Sequence, residues 1–567
     1  MTSVIGSSSR GTDPRIRVPV NAKLASRFYE PIVLLKVLNA TCDKKPSNAP
    51  DPSPDMTQSP EHTFQWFVNT LAQLCDSDKG GKTVTAFTVL QHPDHIEYRF
   101  TSNQRGTEEF IRAQTFTSSI LHILGSMQGH EKQSVISDIL RRSLSFSRSG
   151  VTVEVRILKG RAEECISACE IENTDECEYE DLGPASNNSV FVSARSILEK
   201  LKELYEGLPV SNKEELSDNE CEYSPAGSCS ELNIALVAKR CEILINSISR
   251  LHQSEVHEFI CNRTKEGRMD QSEKWSELRH TAGRLLSYLR AAKSLVSMPK
   301  RWPELFENPR VCYVPSSVPD PCPFRGKRSL DRLTAHGIIG RMTSDLSKQE
   351  EYRAHAQQLQ KIGLDKALQG LEKRKFRPIV HAEVLLLESL ESAGGTHPSK
   401  FFKGYKYIGC SKPTCRLCCH YFSVHPSGVE VRRTHHNLYP PWRMPDVYEN
   451  QGPEAERGRK DLMNQVLSLI RVDTFRVLKE KLAEGKRHDS NTESTYPRGS
   501  ASVGSLTIME DQMSSLRILD DHCSGYEEMS SIAAASSLDE GEKFSSEVDY
   551  EENSGVKLLW AAQYAGV

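Results

Sequence analysis

Between residues 63 and 158 the apolar positions change their spacing three times. Phe64, Phe67, Val68, Leu71 and Leu74 recur every three or four residues and predict a helix with one buried face. Lys79-Gly-Gly-Lys82 interrupts the pattern, and Thr83–Leu90 and Ile96–Phe100, ending at Ser102-Asn103, read as the two strands of a hairpin. Helical spacing returns with Phe110, Ile111, Ile120, Leu121, Ile123, Leu124, Ile136, Ile139 and Leu140, whereas Val151 to Leu158 reads as one strand. Further helices are expected at 189–206, 231–262 and 272–297, and the strongly charged stretch 328–374 is again helix-like. Beyond Pro378, Val384, Leu385, Leu387 and Leu390 predict a buried helix opened by His381. Phe401–Cys410 reads as a buried strand, Ser411–Thr414 as a turn, and Cys415–Phe422 as the start of another helix with Thr414 as a candidate cap. Val429–Val431 is a further short strand.

Polar composition divides this pattern. Residues 41–60 are rich in Pro, Ser and Asp and read as a linker. The run Glu163–Gly183 holds nine carboxylates and no Lys or Arg, too little apolar surface to order itself, and reads as a solvated spacer. After about residue 488 Ser, Asp and Glu dominate, the signature of a disordered tail. Only Val556–Tyr564 is apolar there, either a docking peptide or an incidental patch. The expected organisation is an N-terminal segment and Pro-rich linker (1–60), an α/β segment (61–160), the acidic spacer (161–188), a helical region (189–375), a metal-binding core (376–485) and the tail (486–567). The first residues lack the charged start and apolar core of a leader, and no stretch approaches about 18 apolar residues. A soluble cytoplasmic or nuclear protein with no membrane partner is therefore expected. Sixteen cysteines scattered singly through 567 residues point to reduced thiols and a metal site rather than a disulfide framework.

The chemistry concentrates at His381, Glu383, Cys415 and Cys418. One imidazole and two thiolates suit tetrahedral Zn²⁺ and leave its fourth position open, while a carboxylate two residues from the histidine can carry protons without binding metal. His381 and Glu383 fall in the first turn of one helix and Cys415 in the first turn of another, where the backbone amides favour a thiolate or a bound anion. The residues leave a second reading open. Cys410, Cys415 and Cys418 with one of Cys419, His420 or His425 can close a four-ligand structural site, in which Glu383 has no task.

His-Ala-Glu on a helix, Tyr-Ile-Gly-Cys-Ser-Lys followed by Cys-x-x-Cys, and then Val429–Pro445 together resemble the cytidine-deaminase-like superfamily, and within it a branch expanded in fungi and also found among bacterial toxins. The resemblance covers roughly 376–446. It implies a three-layer helix-sheet-helix deaminase-like domain; with the helical patterns and polar compositions above, the expected fold class is α/β, with a large mainly helical insertion or N-terminal domain and disordered tails. It also implies a catalytic zinc held by His381, Cys415 and Cys418, with Glu383 as proton shuttle. One departure is plain: Thr414 separates Pro413 from Cys415, where the family places its proline directly before the cysteine. The family also sets a helix and a hairpin ahead of its His-x-Glu helix. Segment 63–103 has that form, so the core is expected to be split by the region up to about 375, with Asn103 at the position of a sugar-contacting asparagine or as a plain turn residue. His435 and Trp442 fall where the superfamily places a substrate loop. Trp442 reads equally as a packing residue.

Charge bears on the partner. Residues 373–446 hold 12 Lys or Arg against 5 Asp or Glu, net +7, whereas 488–567 hold 4 against 15, net −11. Lys373–Arg377 and Arg432-Arg433 read either as phosphate contacts or as solvated surface. Two functions follow: a zinc-dependent deaminase of a nucleobase, within a nucleotide or single-stranded nucleic acid, or a catalytically silent zinc module whose helical region and acidic tail bind proteins.

Overall fold

The computed structural model describes residues 16–44, 59–127, 131–175, 196, 199, 228–264, 269–324, 334–369 and 376–483. At its centre is a mixed five-stranded sheet. The hairpin strands β1 (Thr85–Gln91) and β2 (Ile96–Ser102) pair antiparallel, with Phe87 opposite Phe100 and Val89 opposite Tyr98. Strand β3 (Pro309–Tyr313) lies parallel to β2, β4 (Tyr407–Cys410) antiparallel to β1, and β5 (Glu430–Val431) parallel to β4. The spatial order is β3-β2-β1-β4-β5.

Period-two alternation sends β1 side chains to two separate cores. Phe87 and Val89, with Tyr98 and Phe100 of β2, join Phe64, Phe67 and Val68 of α1 (Pro60–Cys75) and Phe110 of α2 (Thr107–Gly125). The same core extends through α3 (Lys132–Phe146), α4 (Arg148–Asp175), α5 (Ser228–Leu251), α6 (Glu255–Arg263) and α7 (Met269–Leu295). On the other face Ala86, Leu90 and Ile408 meet Val384 and Leu387 of α8 (Ala382–Ser392) and Leu417 of α9 (Arg416–Val424). Helices therefore cover both faces, which is why Ala86–Leu90 is an unbroken buried run.

The second core also contains a helix that composition hid. Residues Ala22–Thr41, inside the stretch expected to be an N-terminal segment and linker, form a helix whose Phe28–Leu38 face packs against the long helix Gly452–Glu480. Its buried Glu30 is paired with Arg341 at 2.7 Å. Three further expectations need correction. Val151–Leu158 is helical, as part of α4: Val151, Val155, Leu158, Ala162 and Cys165 are buried apolar positions, a helical stripe concealed by an alternating run of valines. The acidic run does not begin as a spacer, because α4 continues through Asp175 with Ala162 and Cys165 in the core and Arg161 bridging to Glu164 and Glu277. Finally, only Tyr407–Cys410 of the expected strand 401–410 forms a strand, preceded by an isolated bridge from Phe401 to Leu90 and 3₁₀ turns at Pro398–Lys400 and Phe402–Gly404. The expected helix at 189–206, apart from residues 196 and 199, most of the linker, and the tail lie outside the described residues. No helix among the described residues is long and apolar enough to cross a membrane.

Gly409 lets α1 lie directly on β4. A Cβ there would stand 2.8 Å from Val68 Cγ1 and 2.9 Å from the Asn69 backbone nitrogen. Gly409→Ala is expected to lower the unfolding free energy by about 1–3 kcal/mol. Gly458→Ala, on an exposed helical turn with open space around it, is expected to raise it by about 0.5–1 kcal/mol. Denaturant titration of the two variants measures both.

Candidate metal centre

Two helix N-termini converge beside the end of the hairpin. His381 is the N-cap of α8 and Glu383 lies in its first turn; Cys415 is the N-cap of α9, and its sulfur accepts the Cys418 backbone N–H at 3.5 Å. Thr414, the residue expected to cap α9, instead donates its hydroxyl to Arg432 O. The cap therefore falls on the Cys415 sulfur, in a position where the helix dipole favours a thiolate.

His381 Nδ1 stands 3.5 Å from Cys415 Sγ and 3.4 Å from Cys418 Sγ. A tetrahedral zinc with Zn–N of about 2.0 Å and Zn–S of about 2.3 Å requires an N···S separation of about 3.5 Å. The donor chemistry and the spacing both fit zinc, and they fit it with three protein ligands. Cys410, Cys419, His420 and His425 do not join this group among the described residues. Cys410 instead contacts Glu383, and His420 is held by Asp473 at 2.9 Å.

Cys415, Cys418 and Glu383 are 4%, 0% and 4% exposed, and the His381 side chain is buried beside them. Burial opposes ionisation of Cys415, but the hydrogen bond from Cys418 and the charge of His381 outweigh it and hold this thiol well below its ordinary range. Burial and the neighbouring Cys415 hold the Cys418 thiol well above it. Burial also raises the Glu383 carboxyl, partly offset by the charge of His381. Of the two thiols, Cys415 is thus the first to ionise.

The supporting residues are specific. Trp442 is fully buried between Phe28 and Tyr421, ring centroids 6.0 Å away in each case, and its indole N–H points to Cys418 Sγ at 3.3 Å. No ring face is exposed for a base to stack on. Asn103 is brought to the site across the fold: Oδ1 accepts the Ala382 N–H at 2.9 Å, and Nδ2 donates to Gly81 O at 2.8 Å. It therefore satisfies one of the open backbone donors of α8, which the His381 side chain leaves uncapped. His435 is buried, its backbone N–H donating to Thr414 O at 3.1 Å and its Nδ1 accepting from Asn437 N at 2.8 Å. Arg433 is exposed, whereas Arg432 donates to the carbonyls of Cys410 and Ser411.

Sequence patterns gave no sign of Arg416 or Ser317. Arg416, buried between the two cysteines, donates to His436 O at 3.0 Å and pairs with Asp473 at 3.3 Å, fastening the 434–437 loop to α9. Ser317 Oγ accepts the Val380 N–H at 2.9 Å and fixes the approach to His381. Much of the basic stretch is engaged with the protein itself: Lys406 and Lys412 donate to Ser427 O and Gly80 O, and Lys403 pairs with Glu304. Lys373–Lys375 lie outside the described residues.

Trp442→Phe keeps the packing but removes the donor to Cys418, and is expected to weaken zinc binding about 10- to 100-fold in a chelator competition. Asn103→Ala is expected to cost about 1 kcal/mol of stability in denaturant unfolding, and Asn103→Asp, which keeps the acceptor, distinctly less.

Residues 380–446 match the model of the OTT_1508-like deaminase family. No curated protein and no solved structure matches the chain. The segment that carries His381, Glu383, Cys415 and Cys418 is therefore deaminase-like in sequence, and its buried His-Cys-Cys group is compatible with zinc.

Proposed function

We propose that this chain is a zinc-dependent hydrolytic deaminase acting on a nucleobase within a nucleotide or nucleic acid. The observation that carries the reading is Glu383, a buried carboxylate in the first turn of α8 that adjoins the His-Cys-Cys group without belonging to it. A closed structural site gives such a group no role, and leaving a carboxylate there uncompensated is costly.

His381, Cys415 and Cys418 would hold the metal. Bound zinc supplies a Lewis acid that brings the pKa of water towards neutrality. Glu383 takes the proton of the attacking water and passes it to the ring nitrogen of the base. With the hydroxyl added to the amine-bearing carbon, Glu383 takes that hydroxyl's remaining proton and gives it to the amine, which departs as ammonia as the carbon–nitrogen bond breaks and the carbonyl forms. Burial raises the Glu383 carboxyl above its ordinary range, the direction that suits a group which must return the proton it accepts. Trp442 and Arg416 position the cysteines and the loop beside them. Asn103 and His435 are the proposed contacts to sugar and base, and exposed Arg433 is the proposed phosphate contact. Trp442 is assigned no stacking role, since its ring is enclosed.

The test is ammonia release by the zinc-loaded protein from nucleosides, nucleotides, single-stranded DNA and single-stranded RNA. Glu383→Gln is expected to retain zinc and lose at least about 100-fold in rate. Zinc-loaded wild-type protein that releases no ammonia from any of these, or a Glu383→Gln variant with full activity, would overturn the reading.

A further inference from the structure

The opposite end of the hairpin carries a second donor set. Between β1 and β2 the Pro93-Asp94 turn is closed by His92 N–H donating to His95 O at 3.0 Å. Leu90 pairs with Glu97 and Gln91 with Ile96, so the alternation of the strands puts His92, His95 and Glu97 on one face. The two imidazoles lie parallel, with centroids 4.5 Å apart and planes 4° from each other. His92 Nε2 is 3.0 Å from Glu97 Oε2, and one donor atom from each of the three residues lies within 4.8 Å of the other two.

The surroundings are those that orient metal ligands. His95 Nδ1 is 2.7 Å from Asp94 Oδ1, and this hydrogen bond pulls the Asp94 carboxyl below its ordinary range. An Nδ1–H donated to Asp94 leaves the lone pair of His95 on Nε2, as in carboxylate–histidine–metal triads. Glu97 is largely buried, and Arg99 Nε holds its Oε1 at 2.6 Å. Arg310 in turn reaches Asp94 Oδ2 at 3.4 Å.

We propose that His92, His95 and Glu97 form a second metal site, for a divalent transition ion of the zinc type. Two imidazoles and one carboxylate select such an ion over Mg²⁺ or Ca²⁺, which take oxygen ligands. Seven residues of β2 separate this tip from Asn103, about 20 Å of strand, so the site is independent of the His-Cys-Cys centre. Its ion would clamp the tip of the sheet.

Metal-free full-length protein, reloaded with Zn²⁺ and freed of excess, should retain two ions per chain, and His92→Ala/Glu97→Gln or His95→Ala should retain one fewer than wild type. Co²⁺ separates the sites, because only the cysteine centre produces thiolate-to-cobalt charge-transfer absorption. That absorption should be unchanged in the hairpin variants. A wild-type protein that holds a single ion and shows the thiolate absorption overturns the proposal, as do hairpin variants with undiminished zinc content. If the cysteine centre does not bind, the thiolate absorption is missing while the hairpin variants still lose their ion, so the two readings fail separately.

Discussion

Two residue pairs, Ala86 with Cys410 and Phe87 with Gly409, join a hairpin from early in the chain to a strand more than 300 residues later. The adjoining Thr85–Ser411 hydrogen bond spans 326 positions. The arrangement around the His-Cys-Cys group depends on this seam. It places the end of β2 against the start of α8, so that Asn103 reaches Ala382, and it places Cys410 against Glu383. The seam tolerates no side chain at position 409, where α1 lies against the sheet.

The centre itself is built from helix ends. His381 and Cys415 are both N-caps, so the positive ends of two helix dipoles meet beside their side chains, with the Ala382 N–H taken by Asn103 and the Arg416 N–H by Asn437. Burying a carboxylate, an imidazole and two thiols together is unfavourable unless these dipoles and a cation balance them. The direction of each shift in ionisation follows from that balance. Burial opposes ionisation of both thiols; at Cys415 the hydrogen bond from Cys418 and the charge of His381 outweigh it, whereas at Cys418 the neighbouring Cys415 adds to it.

The His-Cys-Cys cluster was legible because its spacing and its helix and turn context are local. The hairpin was legible for the same reason, since Lys79–Lys82 and the alternation around it mark its strands within twenty residues. The helix at Ala22–Thr41 was not. It adjoins a Pro-rich linker, and its buried Glu30 finds its partner Arg341 only in three dimensions. Val151–Leu158 misled because β-branched residues alternate there, while the burial that decides its conformation comes from α7 and the rest of the first core. The role of Trp442 was open for a related reason. A tryptophan between prolines carries no mark of which face will be covered, and here both are.

The same long seam orders events in time. The hairpin leaves the ribosome some 326 residues before its partner strand, an interval of roughly 20–60 s at common elongation rates. In that interval α1 to α7 can cover one face of β1, but the face bearing Ala86 and Leu90 and the edge that β4 will occupy have no cover from α8 and α9. An unpaired strand edge is a template for aggregation. The nascent chain therefore carries half a sheet as a standing vulnerability, and its catalytic-looking segment, the most recognisable part of the sequence, is also the part that ends the exposure.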